Sequence, residues 1–330
     1  MNAGSAAPLW HDDAVHQQAV ESAFQEHRGF LWGLSYRLVG DAADADELVQ
    51  ETFLRALTRP PRDLERPWRP WLTRVAVNLG RDLLRRRRRR RYDGPWLPAP
   101  VPTDAAGLPG EPIDPAPGPA ARYDRLESVT FAFLLALEAL SPAQRAVLLL
   151  RDVFDYSVRE AADALGMSEA NVKTTHLRAR RVMESYDARR AAPRAPDAGR
   201  SGRALEQLLT CLATRDAAAL EALLADDVRS ISDAGGEFAA SRREQVGVEA
   251  VARLCLGLQA RAGRVVRMAW HALNGRPAVE LEFEGGPSGW APRVVMQCDT
   301  DEDGRITRLY SVLATCKLAR VPAEDAAAAD

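Results

Sequence analysis

The 330-residue sequence has few lysines, few cysteines and no long hydrophobic run. Only two of its 44 basic residues, Lys173 and Lys317, are lysines, a bias that codon usage in a GC-rich genome explains. The longest apolar run, VTFAFLLAL at 129–137, is about half the ~20 residues that a spanning helix needs. The N-terminus lacks the basic and apolar regions of a secretory signal. The sequence therefore predicts neither a membrane protein nor a secreted one, and we expect the cytoplasm.

The four cysteines do not form a recognisable motif. None belongs to a C-x-x-C pair, and no histidine follows at metal-ligand spacing. We therefore expect no zinc site, no other metal, no cofactor and no disulfide framework, which fits a reducing compartment.

The net charge of −2 conceals a strong local separation of charge. Five acids and no base lie between Asp41 and Glu51, whereas Arg66 to Arg91 holds eleven arginines and one acid, Asp82. The near-zero net charge therefore does not indicate which partners the chain binds, because each charged stretch favours a partner of opposite charge.

Two stretches read as linkers. Nine prolines lie between Pro95 and Pro119, and the shorter stretch AAPRAPDAGRSG runs from 191 to 202. The predicted organisation is a helical unit at 1–92, a linker at 93–122, a helical unit at 123–190, a linker at 191–202 and an α+β unit at 203–330.

The last unit changes from helical to alternating periodicity. Helices are predicted at 203–224 and 248–260, separated by an Asp-rich turn. A curved antiparallel sheet follows, with turns at Asn274-Gly275 and Asp303-Gly304. Its predicted strands are Val265–Trp270, Ala278–Phe283, Arg293–Asp299 and Ile306–Val312.

The stretch SVREAADALGMSEANVKTTHLRARRVM has helix-turn-helix spacing. One helix ends at Leu165, Gly166 forms the turn, and Ser168 caps a second helix, which we expect to bury Val172, Ala179 and Val182. The opposite face can lie in a DNA major groove, where its first residues reach bases and its arginines meet phosphates. The alternative is an ordinary helical hairpin with a solvated basic face.

Two further helices carry candidate binding residues. Trp68 and Trp71 precede the arginine run, and their flat rings suit unpaired bases. A non-specific polyanion patch is the alternative. The acidic stretch DAADADELVQETF predicts either a solvated helix or a docking face for a basic partner helix.

Three motifs together resemble a family. The acidic D-A-x-D-E-L-V-Q-E-x-F helix, the W-L-x-R-V-A-x-N-L-x-R-D-x-L-R helix and the helix-turn-helix ending in R-A-R-R are similar to regions two and four of bacterial extracytoplasmic-function (ECF) sigma factors. The resemblance covers roughly 20–91 and 123–190.

The resemblance implies three sets of binding residues. The candidates for contact with the clamp helices, which belong to the largest subunit of core RNA polymerase, are Asp44, Asp46, Glu47, Gln50 and Phe53. Asn78 and Asp82 match positions near the melted −10 element, and Arg81 lies beside them. With the aromatic and basic residues of the same stretch, the candidates for contact with the −10 element are Trp68, Trp71, Asn78, Arg81, Asp82, Arg85 and Arg88. Recognition of the −35 element falls to Ser168, Glu169, Asn171, Lys173, Thr174, Arg178 and Arg181.

The α+β unit resembles the SnoaL-like, NTF2-like cone that sigma-J-like sigma factors carry at their C-terminus. The W-L-P-E-P motif of that group reads WLPAP at 96–100, D-G-G-G-K reads DAGGE at 233–237, and N-P-D-K-L reads ATCKL at 314–318. The resemblance implies a regulatory role for Asp233, Gly235, Gly236 and Lys317.

We therefore expect a sigma factor that is not an enzyme and that binds core polymerase and promoter DNA. We expect the C-terminal unit to be a protein-facing regulatory domain that tunes the availability of these surfaces, with a small ligand or a protein regulator as its possible partner. Two alternatives stay open: a SnoaL-like enzyme, for which Asp233, Trp270 and His271 are candidates, and a ligand-sensing domain. A simple helix-turn-helix repressor does not explain the acidic helix.

Overall fold

The computed structural model describes residues 10–61, 66–89, 92, 94–104, 108, 110, 122–188 and 198–322. A first helical bundle lies within 10–89, a second within 122–188, and a C-terminal α+β unit spans 198–322. Arg90, Arg91, most of the proline-rich linker and residues 191–197 lie outside the described residues.

The first bundle has three helices. They are α1 (Trp10–Val39), α2 (Ala42–Thr58) and α3 (Trp68–Arg89). Gly40 ends α1 at φ +69°, a conformation that glycine adopts without strain. The Asp41 side chain then accepts hydrogen bonds from the first backbone N–H groups of α2, which fixes where that acidic helix begins.

The second bundle contains the helix-turn-helix. Its helices are α4 (Phe131–Leu137), α5 (Pro142–Leu148), α6 (Val158–Leu165) and α7 (Glu169–Asp187), with a π-helical turn at Leu149–Val153. Ser157 caps α6, Gly166 ends it at φ +62°, and Ser168 caps α7. The caps and the turn stand where the sequence predicts them.

Within residues 198–322, the C-terminal unit has three α-helices and one six-stranded sheet, and its first two strands precede the third helix. Its elements are α8 (Ala198–Thr214), α9 (Ala217–Leu223), β1 (Leu224–Asp233), β2 (Gln245–Val246), α10 (Val248–Gln259), β3 (Arg264–Leu273), β4 (Arg276–Glu284), β5 (Arg293–Thr300), β6 (Ile306–Val312) and a C-terminal 3-10 helix (Thr315–Arg320). The strand order is β2-β1-β6-β5-β4-β3.

Three details differ from the sequence expectations. Strand β1 occupies the expected Asp-rich turn and pairs in parallel with β6, so the sheet is antiparallel except at that pairing. Because Ser230, Ser232 and Asp233 are polar although they are buried, this stretch lacks the alternating apolar pattern that predicts a strand. The expected helix 203–224 is broken at Arg215, which has φ +56°, and α8 already begins at Ala198 inside the expected linker.

The sheet is covered on both faces. Helix α8 packs on β4 and β5, and α10 packs on β1. On the opposite face, Val295 and Tyr310 pack against Leu97 and Phe131, which come from outside the C-terminal unit. The rings of Phe131 and Tyr310 lie 5.5 Å apart. The sheet is therefore also the surface on which the rest of the chain rests.

The two bundles share one apolar core, because α3 packs against both α5 and α6. Two buried arginines cross the boundary. Arg37 of α1 donates to Ser128 Oγ at 2.7 Å, and Arg145 of α5 donates to the Leu38 carbonyl at 2.9 Å. We call this side-by-side packing of the bundles the closed arrangement.

Candidate functional site

Helix α2 presents part of its acidic stretch at the surface. Glu47 and Gln50 are exposed, and Asp46 is 38% exposed. Trp32 Nε1 donates to Asp46 Oδ1 at 2.8 Å. Arg320, from the C-terminal 3-10 helix, places Nη2 at 2.5 and 2.6 Å from the two Asp46 oxygens. The C-terminal unit therefore contacts the acidic face directly.

The other two acidic-helix candidates are less accessible. Asp44 pairs with Arg87 of α3, and burial raises the pKa of its carboxyl despite that arginine. Phe53 is buried and packs edge-on against Phe24 at 4.9 Å, so it supports the face from inside. Leu54, one turn beyond Gln50, is 53% exposed. Sequence periodicity does not reveal the exposure of Leu54, because a leucine at this position fits the pattern of a buried apolar face equally well.

The residues predicted at the −10 element form a stripe on α3. Trp68 and Trp71 are half-buried with ring centroids 6.2 Å apart. Asn78, Asp82 and Arg85 continue the stripe in exposed positions, and Arg85 pairs with Asp82 at 2.9 Å. Half-buried Arg81 lies beside Asn78, with their side-chain atoms 3.5 Å apart.

Two arginines of the run have internal partners. Arg87 donates to the Val39 carbonyl at 2.7 Å besides pairing with Asp44. Arg88 donates to the Leu140 carbonyl of the second bundle. In the closed arrangement Arg88 thus bridges the two bundles, instead of presenting the free guanidinium that the sequence interpretation assumed.

The −35 candidates lie on the outer face of α7. Ser168 is occupied as the helix cap, where its Oγ accepts from the Asn171 N–H. The exposed set is Glu169, Asn171, Lys173, Thr174, Arg178 and Arg181. Val172 and Ala179 are buried as expected, but Val182 is 38% exposed, and Met183 takes the expected core position. These side chains are therefore accessible to solvent in the closed arrangement.

The predicted regulatory residues Asp233 and Lys317 meet in one buried cluster. Asp233 is fully buried at the end of β1, and Lys317 Nζ lies 2.6 Å from its Oδ2. The Leu97 N–H donates to the same oxygen at 2.7 Å. Tyr92 Oη and the Gly235 N–H donate to Oδ1 at 2.6 and 3.0 Å.

Lys317 completes this cluster from the other side. It donates to the Leu97 carbonyl at 2.6 Å, and its Nζ lies 4.7 Å from the Trp96 ring centroid. Burial lowers the pKa of Lys317, opposed by Asp233. Gly235 and Gly236 form the adjacent turn with positive φ, and a Cβ on Gly235 would stand 3.1 Å from that of Ala314. We call Tyr92, Trp96, Leu97, Asp233 and Lys317 the Asp233 cluster.

A second junction was missed by the sequence analysis. Asn274, at the tip of the β3–β4 hairpin with φ +51°, is fully buried. Its Nδ2 lies 2.6 Å from Tyr36 Oη and 2.7 Å from the Val129 carbonyl, and its Oδ1 accepts from the Val101 N–H at 2.9 Å. One side chain therefore joins both bundles and the linker. In the sequence, Asn-Gly indicates only a turn.

The three enzyme candidates do not converge on one site. Asp233 is taken up by the hydrogen bonds of its cluster. Trp270 and His271 are neighbours on β3, so they point to opposite faces, and three strands separate β3 from β1. His271 instead contacts buried Glu280 at 2.7 Å, a cross-strand pair that the sequence analysis missed because the two residues are nine positions apart.

Glu280 is itself held by Arg293 and Arg267, so its carboxylate lies in an ion-pair cluster. Within the described residues, no group of three or more His, Cys, Asp or Glu side chains could hold a metal ion. No helix in the described part of the chain is long and apolar enough to cross a membrane.

Comparison with known proteins identifies related families. Residues 23–90 match the Sigma-70 region 2 family, and residues 130–183 match the Sigma-70 region 4 family. These ranges hold the acidic helix, most of the arginine run and the helix-turn-helix.

Two relatives from Mycobacterium tuberculosis are informative. The ECF RNA polymerase sigma factor SigJ (strain ATCC 25618 / H37Rv) is 33% identical over 298 residues, which cover 88% of this chain and 90% of SigJ. The ECF RNA polymerase sigma factor SigG (strain CDC 1551 / Oshkosh) is 37% identical over 199 residues, or 53% of this chain and 51% of SigG. The crystal structure of SigJ matches with a TM-score of 0.66 and 30% identity, covering 90% of this chain and 97% of that one.

Proposed function

The chain belongs to the ECF RNA polymerase sigma factors. From that membership we propose which of its surfaces bind core polymerase and which bind promoter DNA during transcription initiation. As a sigma factor it binds core polymerase and directs it to promoters. The observation that carries this function is the similarity to SigJ along most of both chains, with regions 2 and 4 matched in order.

Core polymerase binds at the exposed side of α2, which we call the docking face (Asp46, Glu47 and Gln50). The five acids without a base in this stretch favour a basic partner, such as the clamp helices of the largest subunit. Like charges crowded on one short helix repel one another, so a partner of opposite charge stabilises them. Asp44 and Phe53 hold this face in place from beneath.

Promoter DNA binds at two other helices. The α3 stripe from Trp68 to Arg85 offers aromatic rings, an amide and guanidinium groups to the unpaired −10 strand. The exposed face of α7 offers side chains that reach base edges near its N-terminus and phosphates near Arg178 and Arg181.

The closed arrangement must open for both elements to be bound. Elements roughly 25 base pairs apart are separated by about 85 Å along B-DNA at 3.4 Å per base pair. Helix α3 touches α6 and α6 touches α7, so α3 and α7 are about two interhelical distances, or ~20 Å, apart. One closed chain therefore reaches only one promoter element.

The C-terminal unit sets the balance between closed and open chains, and it has no catalytic role. Its Asp233 cluster grips the linker, and Asn274 joins the linker to both bundles. The Asn274 contacts exist only while both bundles and the unit stay together, so they favour the closed form, and the Asp233 cluster holds the linker against the unit beside them. Because only open chains bind core polymerase, the apparent affinity equals the intrinsic affinity multiplied by the fraction of chains that are open. A small ligand or protein regulator would act by shifting this fraction.

Co-elution of full-length variants with core polymerase tests the docking face. We expect Asp46→Arg combined with Gln50→Ala to abolish co-elution while the circular dichroism of the chain stays unchanged. The matched control is Asp163→Arg, which reverses an exposed acid on α6. Unchanged co-elution of the double variant would contradict the proposed docking face.

A further inference from the structure

We propose that Arg320 occupies the point on the docking face where core polymerase places a basic side chain, so that the C-terminal unit and polymerase compete for Asp46. The inference rests on the proposed docking face and adds the residue that covers it. It concerns a contact outside the Asp233 cluster and outside the Asn274 junction.

The contact has the chemistry of an arginine-binding site. Both Asp46 oxygens lie within hydrogen-bond distance of Arg320 Nη2, and the Arg320 guanidinium carbon lies 4.7 Å from the Trp32 ring centroid. A cation that is paired with a carboxylate and stacked on an indole is held by two attractions at once.

Trp32 and Asp46 are held in place independently of Arg320. The Trp32 ring stacks on Tyr36 with centroids 5.3 Å apart and an interplanar angle of 3°, and its Nε1 donates to Asp46. The carboxylate and the aromatic face are therefore oriented before any cation arrives. A polymerase side chain that used the same carboxylate would find both oxygens taken.

Arg320 is also held in place from its own side. Arg293 of β5 pairs with Glu280 and lies within hydrogen-bond distance of the Leu318 and Val321 carbonyls, which flank Arg320. Lys317, one turn earlier, is fixed in the Asp233 cluster. A side chain anchored in this way has a high effective concentration at Asp46, so a weak contact is enough to compete.

The exposure of the pair suits a contact that polymerase can displace. Arg320 and Asp46 are 44% and 38% exposed, so solvent weakens their attraction. An exposed ion pair together with a cation–π contact corresponds to roughly a 3- to 20-fold effect on an equilibrium.

The test is the affinity of full-length variants for purified core polymerase, measured by interferometry. We expect Arg320→Ala to tighten binding about 3- to 10-fold, and Arg320→Glu to tighten it further because it repels Asp46 in the free chain. Arg253→Ala is the matched control, since it removes an exposed arginine of α10 that pairs with Glu249 on the same helix. It should leave the affinity unchanged.

A second substitution separates this inference from the proposed docking face. Asp46→Asn placed in the Arg320→Ala chain should weaken binding to core polymerase. The docking carboxylate is lost, and no Arg320–Asp46 ion pair remains whose removal could offset that loss. If Asp46→Asn weakens binding in that chain but Arg320→Ala is no tighter than the wild type, the competition is wrong and the docking face stands. If Asp46→Asn has no effect there, the docking role of Asp46 fails, and the competition fails with it.

Discussion

Asn274 donates from its amide nitrogen to Tyr36 Oη at 2.6 Å, although the two residues are 238 positions apart in the chain. Tyr36 Oη in turn donates to the Ala99 carbonyl of the linker at 2.7 Å. This buried chain of hydrogen bonds connects the C-terminal unit, the first bundle and the linker. In the proposed opening of the sigma factor, these hydrogen bonds are among the contacts that must break.

Replacing Asn274 should loosen the junction without unfolding the units. Asn274→Ala removes the Asn274 hydrogen bond from the buried Val101 N–H and the Val129 carbonyl, at roughly 1–3 kcal/mol each, whereas Tyr36 Oη keeps its hydrogen bond to Ala99. We expect hydrogen exchange at the Val101 amide to speed up at least tenfold, because about 1.4 kcal/mol corresponds to a factor of ten.

Two further variants sharpen that experiment. Asn274→Asp keeps the acceptor for Val101 but loses the donor to Tyr36 and Val129, so Val101 should exchange more slowly than in the alanine variant. Asn171→Ala, which alters an exposed asparagine of α7, should change nothing at the junction. Wild-type protection of Val101 in Asn274→Ala would contradict a structural role for this side chain.

The Asp233–Lys317 pair should show strong coupling. Lys317→Met leaves a buried carboxylate uncompensated, which costs about 3–5 kcal/mol, whereas Asp233→Asn combined with Lys317→Met removes both charges and should restore part of that loss. The measurement is urea unfolding of the full chain for both single variants and the double variant. Additive effects, within about 0.5 kcal/mol, would mean that the two charges do not stabilise each other.

Acid should weaken the helix-turn-helix through Asp152. This carboxylate is fully buried, and although burial alone would raise its pKa, hydrogen bonds from His176 and Arg180 hold the pKa below the ordinary 3.8. A group whose pKa is lowered by folding stabilises the protein above its unfolded pKa and loses that effect as pH falls through the folded value. Exchange protection of α7 should therefore fall as the pH drops below the ordinary aspartate pKa of about 4.

Asp152→Asn provides the control for that pH dependence. It cannot ionise, so its α7 amides should be less protected at pH 7 and should change little over the same acid range. A wild-type chain and an asparagine variant with parallel pH profiles would show that another group controls acid stability.

The exposed arginines of α7 should control the salt dependence of duplex binding. Each phosphate contact contributes about 0.9 to the slope of log affinity against log salt on B-DNA. Arg181→Ala should lower the slope of full-length protein on a 30-base-pair duplex by about that amount, and Arg253→Ala should leave it unchanged. Equal slopes for Arg181→Ala and the wild type would remove Arg181 from the phosphate contacts.

The sequence predicts what depends on local patterns. Caps at Ser157 and Ser168 and the turn at Gly166 are encoded within a few residues, so they could be placed in advance. The sigma-factor relationship follows from motifs of the same kind. Strand β1 was missed because Ser230, Ser232 and Asp233 are polar yet buried, which breaks the alternation of apolar and polar residues expected of a strand.

What the sequence could not supply is contact between distant segments. The positions of Arg88 and Arg320 look like solvated arginines in the sequence, yet one reaches the Leu140 carbonyl and the other reaches Asp46. Nothing local distinguishes them from neighbouring arginines, because their partners lie 52 and 274 positions away. The arrangement that we connect with regulation is made of such contacts.

The distance between the two bundles distinguishes closed from open chains, and energy transfer between dyes at Thr58 of α2 and Glu184 of α7, both exposed, measures it. We expect high transfer in the free full-length chain, a large fall in transfer when core polymerase saturates the chain, and a partial fall in the free Asn274→Ala variant. Transfer that stays at the free-chain value with polymerase fully bound would contradict the claim that the C-terminal unit holds a closed chain that polymerase must open.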